Sequence, residues 1–271
     1  MLLQTRHIQI ENKRLRYFMS ADTSKAKLVL LHGYPDNLQI WHRVVPFLEK
    51  QFCVLAFDWP GMGDSEAWSG GATPLVMAQR LKKILAHFQW QQIHLAAHDM
   101  GAQAALVFAA EYAENTLSVC AMNSLLFWNQ RTSWEISLLR KFRFNEFALQ
   151  YLPRVVFQRA IHTFVNQNNS ISDELKNELW HQFKRKEVRH YIVRMCAGYN
   201  AQLKKLPEYY KNIQCPATLI WAEKGKHFSI EHAYAFKDLL PHARIIAIPS
   251  AQHWMVLEAA EEIVRLMLAE G

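Results

Sequence analysis

The chain has 271 residues, of which 51% are apolar and 20% charged, an ordinary globular composition that argues against disorder, in a chain long enough to bury a sizeable core. Its formal charge of +7 comes from 31 Lys+Arg against 24 Asp+Glu; the basic runs "KFRF" at 141 and "KRKEVRH" from 184 carry no nucleic-acid signature and read as solvated helix faces. The four cysteines Cys53, Cys120, Cys196 and Cys215 lack metal or redox spacing, the start has no long apolar region, and no run reaches the roughly 18 apolar residues of a membrane span, which points to a reduced, cytoplasmic protein.

In chain order, two alternating segments at 7–10 and 14–20, parted by Glu11-Asn12-Lys13, predict a hairpin. "AKLVLLHG" predicts a buried strand ending at Gly33, and "LQIWHRVVPFLEK" (38–50) a helix. The alternation repeats: strand 52–58 and helix 73–88, strand 93–99 and helix 100–113, then strand 117–123. It resumes with strand 217–223 before helix 230–240 and strand 243–250 before helix 258–270. Apolar runs each followed by a helix predict parallel strands covered on both faces, an α/β doubly wound sheet with an antiparallel start. The stretch between Ser124 and Pro216 is helical in pattern with no strand. Such an insertion sits at the carboxyl ends of the strands, where open α/β sheets bind ligands. The division is therefore a core of 1–124 and 216–271 and a helical cap over 125–215.

"LAAHDMGAQAAL" (95–106) sets Asp99 at the corner between a strand and a helix, within Ala97-His98-Asp99-Met100-Gly101. Small residues two positions either side of a central side chain form the pattern of a nucleophile elbow, a turn too tight for bulky neighbours. The alternative is an ordinary helix N-cap, which Asp fills well. Two other segments favour the elbow. "HGYP" (32–35) follows the third strand, where the N–H of Tyr34 would join that of Met100 in an oxyanion hole. "SAQHW" follows the last strand and places His253 at the same end of the sheet as a general base.

With these motifs the chain resembles the α/β-hydrolase superfamily, and "HGYP", "DWPGMGDS" (58–65) and "HDMG" resemble its epoxide hydrolase and haloalkane dehalogenase branch. The resemblance implies an α/β-hydrolase fold with a cap inserted after strand six, an aspartate nucleophile, a small hydrophobic substrate and water as the reaction partners, and no cofactor. Asp99 would form an alkyl-enzyme ester that His253-activated water hydrolyses. Dehalogenases of the branch place Trp after the nucleophile and often a polar residue in H-G-x-P; Met100 and Tyr34 depart from that and favour the epoxide reading. Tyr199 in "CAGYNAQ" stands where a lid tyrosine would protonate the opening epoxide, with packing as the bland alternative, and Tyr151, Tyr191 and His162 are further donors. Trp128 is placed at the cap root, as pocket wall or indole donor.

The third triad member breaks the pattern. After strand seven Gly225 stands where relatives carry Asp, and after strand six Asn123 stands where others carry Asp or Glu. Asn123 is expected to accept a hydrogen bond from the His253 ring and fix its tautomer, with Glu223 as the substitute. The expected consequence is slow hydrolysis with an accumulating ester. Rival readings are a dehalogenase, a retired hydrolase that binds a small molecule, and an esterase or lactonase with Asp99 as base. The glycines of 58–65 match neither a P-loop nor a dinucleotide fingerprint.

Overall fold

A computed structural model describes residues 1–166 and 171–268, with the side chains of 139, 142 and 195–200 outside the description. β1 (Arg6–Ile10) and β2 (Lys13–Met19) form the hairpin, turning at Glu11 and Asn12 with φ of 51° and 60°. β3 (Ala26–Leu31), β4 (Phe52–Phe57), β5 (Ile93–His98), β6 (Thr116–Met122), β7 (Ala217–Ala222) and β8 (Arg244–Ile248) complete an eight-stranded sheet in the order β1-β2-β4-β3-β5-β6-β7-β8. From β4 to β8 every pairing is parallel; β1 and β2 are antiparallel. β3 to β7 are mostly apolar and buried because helices cover both faces. The chain runs outward from β3 to β4 and returns on the other side at β5. That reversal opens a crevice at the carboxyl ends of β3 and β5.

The segment 38–50 is not the single helix its pattern predicts. It is a 3-10 turn over Leu38–Trp41, opened by the Asn37 side chain accepting from Gln39 N–H at 2.9 Å, and one turn of α1 (Val45–Leu48) with Pro46 in its first turn. Proline has no N–H for the preceding turn, so the helix restarts there. α2 (Pro74–His87) is capped by Thr73, and α3 (Met100–Glu111) is buried from Met100 to Ala109. Its Ala and Gly residues let it lie close on β3, β5 and β6.

Between β6 and β7 lie α4 (Trp134–Leu139), α5 (Phe142–Tyr151), α6 (Pro153–Thr163), α7 (Asp173–Phe183), α8 (Lys186–Leu203) and α9 (Leu206–Tyr210). Among the described residues the only β pairing here is an isolated bridge from Thr132 to Phe228. α9 packs back on α3, and the Tyr210 hydroxyl donates to Leu126 O at 3.0 Å. α7 is fastened to the core by buried Arg16, which bridges Asp58 at 2.8 Å and Glu178 at 2.6 Å. α10 (Glu231–Leu239), α11 (Met255–Glu258) and α12 (Ala260–Leu268) follow. The terminal helix starts two residues later than its pattern predicts, because Ala259 at φ −129° breaks it from α11. Cys53, Cys120 and Cys215 are buried and unoxidised; Cys196 lies outside the described side chains. No helix among the described residues is long and apolar enough to cross a membrane.

Candidate active site

Asp99 follows β5 at φ 51° and ψ −121°, a conformation L residues rarely adopt. Its side chain makes no capping bond to α3, which sets aside the N-cap alternative. The turn exists because its neighbours are small. A Cβ on Gly33 would stand 2.4 Å from Asp99 Cβ, and one on Gly101 would stand 2.5 Å from Leu31 O. Oδ2 of Asp99 accepts the Tyr34 N–H at 2.9 Å, and the Met100 N–H also acts on the carboxylate. The Asp99 carbonyl is held by the Ser124 hydroxyl at 2.6 Å. Burial raises the Asp99 carboxyl to about 6, opposed by His98 and by the two backbone N–H groups.

His253 lies on the loop after β8 inside an aromatic cage. Its ring centroid is 4.5 Å from Phe164, 4.6 Å from His98, 5.4 Å from Phe228 and 5.8 Å from His227. Burial, with His98 and His227 beside it, holds the imidazole well below the usual histidine value, so it is neutral at physiological pH. Its Nδ1 is buried without a hydrogen-bond partner. That is the atom a triad acid would hold.

The expectation for Asn123 is therefore corrected. Its amide donates to the backbone oxygens of Gln252 and His253, both at 3.0 Å, and its Oδ1 accepts from Ala222 N–H at 2.9 Å. With φ at 38°, Asn123 spends its side chain tying β7 to the histidine loop and has no oxygen left for the ring. Glu223 is exposed and meets the site only through its backbone, donating to Ile248 O at 3.0 Å. Gly225 supplies no acid.

A pair that sequence reasoning missed supports the loop instead. His98 is fully buried; its Nδ1 stands 3.4 Å from Asp36 Oδ2, and its Nε2 donates to His253 O at 2.8 Å. Burial alone would lower His98, but Asp36 and Asp99 carry it above the usual value. Asp36 also accepts the Trp254 indole N–H at 2.7 Å. Both residues flank motifs already recognised, Asp36 directly after "HGYP" and His98 directly before Asp99. Adjacency to a motif was the available signal.

Of the cap residues, Tyr151 is corrected: it is 65% exposed and stacks on Phe147 at the outer surface. Tyr191 is half-buried and engaged by Arg80, and its hydroxyl donates to Gly71 O at 3.4 Å. His162 is exposed. Trp128 lies 3.8 Å under the Arg140 guanidinium with Lys204 at 5.9 Å, so its ring is occupied by cations. Tyr199 falls on α8, and its side chain lies outside the described residues. An apolar cavity of about 180 Å³ is walled by Tyr34, Phe164 and His227 and by α4 to α6. Tyr34 and Phe164 are also the residues that touch Asp99 and His253.

A family model described as the alpha/beta hydrolase fold matches residues 27–260. The soluble epoxide hydrolase of Corynebacterium sp. (strain C12) is 34% identical over 105 residues, which is 39% of this chain and only 36% of that relative's length. Epoxide hydrolase 4 of Mus musculus is 21% identical over 271 residues, 92% of this chain and 74% of that protein. The crystal structure of haloalkane dehalogenase DbeA from Bradyrhizobium elkani USDA94 superposes with a TM-score of 0.84 at 19% identity, covering 98% of this chain and 96% of that one. At that identity the likeness shows the fold.

Proposed function

The chain belongs to the alpha/beta hydrolase fold family, and on that premise we propose that it hydrolyses a C–O or C–halogen bond through an ester on Asp99, an epoxide being the favoured substrate. The observation that carries this reading is the carboxylate at the elbow, held by one oxygen on the Tyr34 N–H and capping nothing. With Oδ2 so anchored, Oδ1 is the atom left to attack. A carboxylate is a poor nucleophile toward amides and esters, because the product would be an anhydride. At a saturated carbon bearing a leaving group it forms a stable ester.

In the first step Oδ1 bonds to carbon and the ring oxygen or halide leaves with the bonding electrons. An epoxide oxygen then takes a proton, for which Tyr199 is the donor placed by sequence. In the second step neutral His253 removes a proton from water, which attacks Cγ of Asp99. The tetrahedral oxyanion is stabilised by the N–H groups of Tyr34 and Met100. Collapse expels the product oxygen, which takes back the proton held by His253, so that the alcohol leaves, the imidazole is neutral again and one water oxygen stays in the carboxylate. Neutral imidazole and ionised carboxylate are the forms these roles need: burial keeps His253 neutral, and an Asp99 carboxyl raised to about 6 still ionises at neutral pH.

The test is a single turnover in ¹⁸O-labelled water with aryl epoxides, haloalkanes and short esters. The covalent route puts the label into Asp99 and leaves the first product oxygen unlabelled. Label found directly in product, with none in the protein, overturns it. A second reading, a hydrolase that captures substrate and scarcely releases it, is favoured by the unpartnered Nδ1 of His253. It shows as one equivalent of ester per chain without continuing turnover.

A further inference from the structure

Large apolar side chains that stand in water are gathered in one region. Trp134, Phe144, Phe147, Tyr151, Leu152 and Val155 are between 42% and 65% exposed, and all fall on α4, on α5 or at the junction of α5 and α6. Elsewhere among the described residues Met1, Leu117 and Tyr234 show such exposure, each alone in sequence. Isolated exposed apolar residues are ordinary, whereas a contiguous patch marks a surface built to meet something. This patch is contiguous: the Phe147 and Tyr151 rings are 5.3 Å apart on successive turns, and Trp134, Phe144, Leu152 and Val155 all wall the same apolar cavity.

Its charge identifies the partner. From α4 to the end of α6 the chain carries Arg140, Lys141, Arg143, Arg154 and Arg159 against Glu135 and Glu146, a net charge of +3. Glu135 is already bound to Arg159 at 2.7 Å. A second copy docked through a two-fold axis would set like charge on like. Arg140 is half-buried over Trp128, but rings interleaved in sequence with the exposed Lys141, Arg143 and Arg154 match the boundary of an anionic bilayer, where rings enter the headgroup region and each Lys or Arg is attracted by phosphate. We propose that this face of the cap docks on an anionic lipid surface, with the apolar cavity opening toward the membrane so that a lipophilic substrate passes from the bilayer to Asp99. The source of the substrate rests on the reaction proposed above; the docking does not.

The experiment is flotation of the full chain with vesicles of phosphatidylcholine alone or mixed with phosphatidylglycerol. Binding is expected on the mixed vesicles at low salt, with loss on neutral vesicles and at high salt. At about fivefold per cation, neutralising the pair in Lys141→Gln/Arg143→Gln weakens binding by about 25-fold. Phe147→Ser/Tyr151→Ser weakens it as well. All four side chains are exposed, so thermal melting and turnover of a water-soluble substrate stay unchanged. Absence of flotation on anionic vesicles, equal binding to both vesicle types, or a concentration-dependent dimer abolished by the same substitutions overturns the proposal. Failure of the Asp99 chemistry reads differently: flotation persists while no ester or label appears on the protein.

Discussion

The two ends of the site are built to different standards. At the elbow, Gly33 and Gly101 pack where a Cβ would collide, Ser124 pins the carbonyl, and a backbone N–H fixes one carboxylate oxygen. At the histidine loop the backbone is tied as firmly, through Asn123 and His98, but the ring itself rests only on aromatic packing. Rigid backbone and an unheld imidazole are separate properties. In the proposed reaction, ester formation needs the elbow alone, while hydrolysis needs the ring. A molecule with the first complete and the second unsupported should be quick to bond substrate and slow to let go.

The largest test of that contrast is Asp99→Asn, which removes the attacking group and should lower kcat by about 10⁴ to 10⁶-fold; near-normal turnover of any epoxide or haloalkane would end the covalent reading. His253→Gln comes next. It should leave ester formation intact and cut hydrolysis by about 10² to 10⁴-fold, so that intact-mass spectra show the protein fully loaded. An unmodified chain in that variant would mean the imidazole serves the first step as well.

Stability gives a third handle. The Asp99 carboxyl rises from 3.8 to about 6 on folding, so the protonated form favours the folded state below the unfolded value and that contribution is lost as pH rises through about 6. The ionised group then costs up to about 3 kcal/mol at pH 7.5. Asp99→Asn should therefore stabilise the protein there and converge with wild type below pH 4, as denaturant titration would reveal. The same ionisation predicts that ester formation falls away below pH 6. The smallest expected effect sharpens the other end: Gly225→Asp restores a carboxylate to the strand-seven loop. Its Cβ would meet Ala222 O at 3.1 Å, a contact that a small shift relieves. Ester hydrolysis should quicken about tenfold, within the roughly 10⁴ that a triad acid supplies; an unchanged rate would show that the ring is held by something else.

The sheet, its antiparallel start and the helical insertion were legible because runs such as "AKLVLL" and "ATLIWA" are long, apolar and followed by helical periodicity. The sharp turn at Asp99, Met100 and Gly101 was legible because the elbow is a local structure in which five consecutive residues constrain one another, whereas the Tyr34 N–H reaches it from 65 residues away. The role expected of Asn123 failed for the opposite reason. Its bonds reach Ala222, Gln252 and His253, up to 130 residues away, and no local pattern says which of an amide's two ends meets which group. Tyr151 failed likewise, since one side of an amphipathic helix looks much like another until its packing partners are known.

What the sequence by itself determined is the geometry of the bend: a side chain between small residues at a tight strand-to-helix corner, a constraint written within five positions. What only the tertiary structure decided is how the imidazole is supported, that Asp36 and His98 meet behind it, and that large apolar residues of α4 to α6 are left standing in water. Those outcomes depend on contacts between segments remote along the chain, where each side chain's partner is chosen by the closure of the whole sheet and its cap.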